Sequence, residues 1–592
     1  MTIPPRPRRS LRAIAVLLLL ALVAAGCGGA KAGRPSAAAK HGLTANGLTA
    51  QARESGLSTA GKPVRGGKLV YGIEGESEGG FCLPEAQLAI SGMLVVRAVY
   101  DTLTVPNAKG EFVPYLAKSI TPNATDTVWT IVLRSGISFH DGTPLTAQVV
   151  KNNLDAYRGQ YPGRHSLLFS FVLQNVKSVD VVDGLTVRVT TKVPWAALPA
   201  HLYSSARMGI MAQAQLDDPV SCDRKLIGTG PFVFKSWAPG TKLLAVRNPH
   251  YWQIAPDGKP YPYAASIEFR PITDSQVMVN DLQSGTVNIV HSANSSYIGN
   301  HYLPLRNQGK INLLVSSEQA EVSFVQLNNT APPFDDARMR LAFAKAVDRT
   351  ALNQFQNAGF ATVVDGPISK GSMGFVAKPG FPAYDPAGAR KLIAAYRASG
   401  KDPNFVMVSG PDPDTLRLVQ YFQQTFAKVG LKVRISMRDQ STAISDAIGK
   451  KYQASLFRNY PGGDADQLYV WFYGGTTDAS GKRSPNPVNF AGFDDPAVNQ
   501  ALDQGRSEPN AAKREAIYEG MDRRLSSQAF DFWMWSVPWA VATNPKVHGI
   551  FGPPLPGADP SKPGPATTTD PNREPNQGLA TGHSLLGLWV AP

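Results

Sequence analysis

The sequence predicts an α/β protein of at least two lobes, and three observations carry that expectation. First, Phe405 to Val408 reads as a strand, Asp412 to Val429 as a helix and Leu431, Val433 and Ile435 as an alternating strand. Leu416, Val419, Phe422 and Phe426 share one side of that helix and Gly430 stands as its C-cap. A strand, a helix and a strand in this order specify a parallel pair with a right-handed crossover. Second, Trp129 to Val150 reads as strand, turn and helix. Trp129, Ile131 and Leu133 alternate with more polar neighbours, Val132 breaking the pattern, and Asp141-Gly142 and Pro144 turn the chain. Thr146 then stands where an N-cap opens a helix through Val149, Leu154 and Tyr157. Third, the chain beyond residue 63 is about 530 residues long, more than one hydrophobic core supports.

The first 27 residues have a different purpose. Arg6, Arg8, Arg9 and Arg12 precede an apolar run from Ala13 to Ala25, then Gly26-Cys27. The run is too short to span a bilayer, which needs roughly 20 residues, and it reads as a signal peptide. Cys27 directly after Ala24-Ala25-Gly26 resembles the lipobox of bacterial lipoproteins, which implies that Cys27 is acylated and becomes the first residue of the mature chain. Ordinary cleavage near this point is the alternative. Residues 28–63 are rich in Ala, Gly, Ser and Lys with Glu54 as the only acid, so a disordered tether is expected there.

The formal charge of +14 and pI near 9.5 raise the question of a nucleic-acid partner. Outside the signal peptide the basic residues are spread along the chain without aromatic interleaving, so nucleic acid is not expected and an anionic membrane or wall surface is. With Cys27 assigned to lipid, Cys82 and Cys222 remain. An exported compartment permits a bridge between them, closing a loop of about 140 residues and stabilising by roughly 4 to 5 kcal/mol in the chain-entropy model. A metal site is the rival reading, although no histidine lies within four residues of either cysteine.

In chain order, Lys68 to Ile73 opens as a strand and Glu74 to Gly80 follows as a loop rich in glycine and glutamate. Leu88 to Leu103 presents Leu94, Val95, Ala98 and Val99 as a helix face. Thr186 to Thr190 alternates as a strand. Asp335 or Asp336 caps a helix with Met339, Phe343, Ala346 and Val347 inward, and Asp348-Arg349 reads as an ion pair at its end, a charged binding pair being the alternative. Asp385-Pro386 starts another helix, running to Gly400. Ser455 to Phe472 reads as strand, loop and aromatic helix. Phe530 to Trp539 reads as a strand returning to the first lobe and Gly552 to Gly578 as a long irregular loop.

Several of these segments together resemble the family 5 extracellular solute-binding proteins, the oligopeptide, dipeptide and nickel receptors of ABC importers. Trp129 to Ala147 looks like W-x-I-x-L-R-x-G-I-x-F-H-D-G-x-x-L-T-A, with Val149 where members usually carry Asp. Ile227 to Phe232 resembles G-T-G-P-F, and Arg247 to Trp252 resembles R-N-x-x-Y-W. Leu282 to Ile289 resembles L-x-x-G-x-V-D-I with Asn288 for the acid. Pro333, Asp335, Arg338, Arg340, Ala342, Ala346, Asp348 and Arg349 follow P-x-x-D-x-x-V-R-x-A-x-x-x-A-I-D-R, with one extra residue before the arginines. His583 to Val590 resembles the family's last strand, and the resemblance spans about 66 to 592.

It implies a two-lobed, periplasmic-binding-protein-like α/β fold of the large class, with mixed sheets, a cleft between the lobes and an extra subdomain in lobe I. The expected division is residues 64–315 for the first part of lobe I, with the subdomain at about 100–220, residues 316–537 for lobe II, and residues 538–592 for the return. It also implies a receptor that closes on a peptide or other small solute and docks on an ABC permease driven by ATPase subunits. The expected setting is the outer face of the cell membrane, where a monomer is held by its lipid. Nickel complexes, haem, sugars and a peptide-sensing role are alternatives on the same fold. No H-E-x-x-H or P-loop pattern occurs, and the G-x-S-x-G spelled by Gly75 to Gly79 falls in the loop rich in glycine and glutamate, so neither catalysis, a cofactor nor a metal is expected.

For the ligand, the resemblance points to the loop around Asp464, where the family supplies an aspartate that pairs with a peptide's α-ammonium group. A second alignment lays Asp464-Ala465-Asp466 on the family's D-P-D turn and makes both acids turn formers. Arg458, Tyr460 and Trp471 flank this loop. Asn489 and Phe490 lie in a segment resembling the N-Y-x-G-Y loop at the cleft, and Glu74, Glu76 and Ser77 follow the first strand, where the family's chain runs along the cleft. Surface carboxylates in a Gly-rich loop are also commonly just solvated.

Overall fold

The structure is a computed structural model. It describes residues 61–558 and 584–592, with positions 78, 87, 108, 167, 317, 318, 460–462, 478, 479 and 551 left out. The signal segment, Cys27, the tether, Tyr460 and most of the Pro/Gly-rich stretch after Gly552 lie outside the described residues.

Two mixed sheets form the two lobes. The first has seven strands in the order Asn312–Ser316, Trp539–Thr543, Ile289–Ser292, Lys68–Ile73, Ser266–Pro271, Lys242–Arg247 and Phe232–Ala238. Lys68–Ile73 runs parallel to both of its neighbours, and the other pairings are antiparallel. The second has six, in the order Thr362–Val363, Phe532–Ser536, Val322–Leu327, Ala454–Asn459, Phe405–Ser409 and Val433–Met437. Here the expected strand, helix, strand unit is present. Phe405–Ser409 pairs in parallel with Val433–Met437, and helix Pro413–Ala427 between them starts where Asp412 accepts a hydrogen bond from the Thr415 amide at 2.8 Å. Leu418 rather than Leu416 completes its buried face with Val419, Phe422 and Phe426.

Attached to the first lobe is a four-stranded antiparallel sheet in the order Ala117–Pro122, Val128–Leu133, Thr186–Thr191 and Val176–Asp183. Trp129, Ile131 and Leu133 point into the core from the second of these, as their spacing predicts. The turn after it uses Gly142 at φ 86°, and Thr146 caps helix Ala147–Tyr157 by accepting from the Val149 amide at 3.3 Å. Cys82 and Cys222 form a disulfide, both 3% exposed. Gly228 and Gly230 are fixed by close approach. A Cβ on Gly228 would meet the Val99 carbonyl oxygen at 2.1 Å, and one on Gly230 the Val99 carbonyl carbon at 2.5 Å.

The chain passes between the two large sheets twice, and the two passages run side by side. Ser316 pairs with Trp539 in the first sheet and Val322 with Ser536 in the second, while the Val537 amide donates to the Glu321 carbonyl at 2.8 Å between them.

Three expectations are corrected. Phe530 to Trp539 is not one returning strand, because Phe532–Ser536 completes the second sheet and a new strand, Trp539–Thr543, starts in the first after Pro538. Asp348 and Arg349 do not pair with each other. Asp348 caps helix Arg349–Asn357 through the Thr350 and Ala351 amides, and Arg349 reaches Asp365. The last strand is only Trp589–Val590, paired with Val547–His548.

Candidate functional site

Between the lobes lies a cavity of about 550 Å³, within the roughly 300 to 1,000 Å³ typical of small-molecule sites. Each lobe supplies part of its wall. Glu74 leaves the end of strand Lys68–Ile73, His201 and Arg207 come from the segment after the four-stranded sheet, and Arg458 projects from strand Ala454–Asn459. Glu321 stands in the passage between the sheets. The remaining wall is largely apolar, with Phe457, Trp471 and Phe490 on one side. The Phe490 ring meets Phe457 and Trp471 edge-on, at centroid distances of 5.5 and 5.8 Å.

The charges are unequal in number and unevenly satisfied. Arg458 Nε lies 3.4 Å from Glu321 Oε2, an oxygen buried without any hydrogen bond. Burial pushes the Glu321 carboxyl up, an effect that Arg458 only partly offsets, and Glu321 in turn raises Arg458. Burial likewise raises Glu74, although Arg458 acts on it through space and the Ala293 amide donates to Oε1 at 2.6 Å. His291 Nδ1 lies 3.8 Å from Glu74 Oε2, but burial, reinforced by Arg458 and Arg97, pushes that imidazole down to about 3. The ring is therefore neutral at ordinary pH and this contact is not an ion pair.

The residues singled out in the sequence divide into two groups. Glu74, Glu76, Arg458, Trp471 and Phe490 line the cavity together. Glu76 is partly committed to its own loop, accepting from the Gly240 amide at 2.8 Å and the Ser77 amide at 2.9 Å. Ser77 and Asn489 do not line it. Ser77 Oγ donates to the Gly80 carbonyl, and Asn489 holds its own loop through the Phe493 carbonyl and the Gly492 amide, both at 2.8 Å.

Asp464 also lies away from this cavity, and of its two readings the turn former agrees with its contacts. Its Oδ1 accepts from the Asp466 amide at 2.9 Å, and Arg514 takes both carboxylate oxygens at 2.7 and 3.0 Å. It borders instead a separate cavity of about 320 Å³ beside Glu111 and Gln319. A carboxylate already matched by a buried guanidinium has little left to offer an ammonium group.

Glu321, Arg207 and His201 were not singled out from the sequence. For Glu321 a signal existed, namely an acid directly before the apolar strand Val322–Leu327.

A two-lobed α/β protein with an apolar, charge-studded cavity between its lobes belongs to the class of solute-binding receptors. The family model for bacterial extracellular solute-binding proteins, family 5 middle, matches residues 111–480, and the chain belongs to that family. It is similar to the glutathione-binding protein GsiB of Pectobacterium atrosepticum, 24% identical over 463 residues that make up 77% of this chain and 86% of that one. Among solved structures it is similar to the periplasmic binding protein DppA from Helicobacter pylori in complex with the peptide STSA. The TM-score is 0.74 with 19% identity, covering 89% of this chain and 99% of that one. It is similar also to AgaA of A. tumefaciens R10 in complex with agropinic acid, with TM-score 0.72 and 23% identity over 89% and 99% of the two chains.

The protein is thus a solute-binding component of an ABC importer, a binding receptor and not an enzyme. No helix among the described residues is long and apolar enough to cross a membrane.

Proposed function

We propose that this receptor captures short peptides, with the ammonium group received by Glu321 and Glu74 rather than by Asp464. The observation that carries the reading is the composition of the cavity wall. Of its two arginines, Arg458 is already engaged by Glu321, whose Oε2 remains without a hydrogen bond, and Arg207 donates from Nε to the Leu88 carbonyl at 2.9 Å, while Trp471, Phe457 and Phe490 offer faces for apolar side chains. A ligand that is charged at its end and apolar along its length satisfies both features. The glutathione-binding relative and the peptide-bound DppA support the same class of solute.

Among the described residues no three His, Cys, Asp or Glu side chains converge as metal ligands. Cys27 and the segment before it, as read from the sequence, support a lipid anchor with residues 28–63 as its tether, and a single chain supplies both walls of the cavity, in keeping with a monomer. The division into residues 64–315, 316–537 and 538–592 is part of the same reading.

Mass spectrometry of solute released from the purified protein, with peptide-library calorimetry on wild type and Glu321→Gln, tests the assignment. Peptides are expected to co-purify, and free-amine peptides are expected to bind Glu321→Gln about tenfold more weakly, a loss near 1.4 kcal/mol. If N-acetylated peptides bind wild type as well as free ones do, the ammonium site is wrong; if no peptide binds at all, the peptide class is wrong. Incorporation of labelled palmitate, lost in Cys27→Ala, checks the anchor.

A further inference from the structure

A histidine in the wall of the cavity is bonded to the opposite lobe. His201 ends helix Leu198–His201 on the first-lobe side and is 1% exposed. Its Nε2 lies 2.8 Å from Oδ2 of Asp466, which belongs to the second lobe and is fully buried. The same carboxylate receives Trp195 Nε1 at 2.7 Å from the first lobe and Arg506 Nε at 3.0 Å from the second. Burial alone would raise the Asp466 carboxyl; Arg506 and the His201 hydrogen bond outweigh it and hold the group well below the usual carboxylate range. Around it the Ala196 amide donates to the Arg506 carbonyl at 3.2 Å and Gln467 Nε2 to the Ala200 carbonyl at 3.3 Å, and the Arg506 guanidinium covers the Trp195 ring at 5.1 Å.

The imidazole at this junction keeps an unused atom. In the tautomer whose Nε2–H donates to Asp466, Nδ1 is left as an acceptor, and it is buried without a hydrogen bond in a residue that lines the cavity. An unmet buried acceptor is destabilising, a cost that a solute with an N–H or O–H group at that point removes.

We infer that His201 ties occupancy of the cavity to closure of the lobes. Nδ1 accepts a hydrogen bond from the bound solute while Nε2–H holds Asp466 across the interface, so each bond orients the ring for the other. His201 is in this sense a positioning residue for closure and a reader of donor groups on the solute. A solute lacking such a donor leaves Nδ1 unmet and closes the receptor less firmly. The inference rests on the peptide reading only for the source of the donor, which a backbone amide supplies.

The test uses the full chain with an equimolar library of tri- to pentapeptides as probe, in wild type, His201→Gln and Asp466→Asn. Gln retains an Nε2 donor for Asp466 and lacks an acceptor at the Nδ1 position, so it separates the lost contact from a damaged fold. Peptides retained by wild type are expected to leave either variant about tenfold faster, with association within about twofold. The ring-nitrogen resonance of His201 Nδ1 in wild type is expected to move on peptide addition. Unchanged dissociation rates, or an unmoved resonance in the saturated protein, overturn the inference. If wild type retains no peptide, the peptide reading fails and scattering from the ligand-free chains decides for the junction. Asp466→Asn, at unchanged circular dichroism, is then expected to have a larger radius of gyration than wild type, and equal radii overturn it.

Discussion

Arg514 grips Asp464 with both of its terminal nitrogens, at 2.7 and 3.0 Å, in a setting where the two side chains are only 7% and 12% exposed. Breaking a buried pair by removing one partner leaves the other charge uncompensated, and costs roughly 3 to 5 kcal/mol. Asp464→Ala is therefore expected to lower the denaturation midpoint strongly, while the folded fraction binds its solute with unchanged affinity. Urea titration followed by calorimetry separates the two. Wild-type stability combined with lost binding would return Asp464 to the ligand.

The Cys82–Cys222 bridge closes a loop of sequence separation 140. Replacing both cysteines by Ser is expected to destabilise by about 4 to 5 kcal/mol less any strain relieved. Since neither lines the cavity, solute affinity below the melting transition should hold. Thermal melts of the oxidised, reduced and doubly substituted proteins measure the first quantity, with the last two expected to coincide.

Asp522 is fully buried; among the described residues its Oδ1 has no hydrogen-bond partner, and Oδ2 accepts from the Val376 amide at 3.2 Å. Burial pushes its carboxyl up to about 8; the Val376 amide and Arg523 oppose this, and Asp365 and Glu519 add to it. The folded state thus keeps a proton that the unfolded chain releases near pH 3.9. Its contribution to stability is fully present below about pH 4 and is lost as pH rises toward 8. Asp522→Asn should remove this dependence. The stability of wild type relative to the variant should fall by up to about 1.4 kcal/mol per pH unit across that window, as read from denaturation at several pH values. A difference independent of pH would mean that Asp522 is ionised in the folded protein.

Trp471 contributes an indole to the cavity wall and meets Phe490 at 5.8 Å. Truncation to Ala is expected to weaken peptides with bulky apolar side chains by about 2 kcal/mol and glycine-rich ones little. Calorimetry with matched Phe-containing and Gly-containing peptides measures the contrast, and an equal loss for both would place Trp471 in scaffolding.

The local elements were legible where short-range chemistry decides them. Asp412, Asp385 and Thr146 cap the helices their spacing predicts, and the parallel pair around helix Pro413–Ala427 follows from its alternation. Long-range pairing was not legible in the same way. Nothing near Asp464 in sequence announces Arg514, fifty positions away, and the acid that meets the first lobe is its neighbour Asp466. Trp533, Trp535 and Trp539 make one aromatic run on paper, yet Pro538 divides it between two sheets. Glu74, Arg458, Trp471 and Phe490 stand in the cavity wall, and the place of Glu321 there depends on where the chain changes sheets, which periodicity does not report.

The paired passages between the sheets have a mechanical meaning. A body hung from another by one strand swivels freely, whereas one held by two adjacent strands bends about the line through them and resists twist. Points near that line travel least. Glu321 sits on it, its carbonyl bonded to the Val537 amide of the other passage. On the proposed reading its carboxylate is a post near the axis of closure, in place for an arriving solute whatever the angle between the lobes.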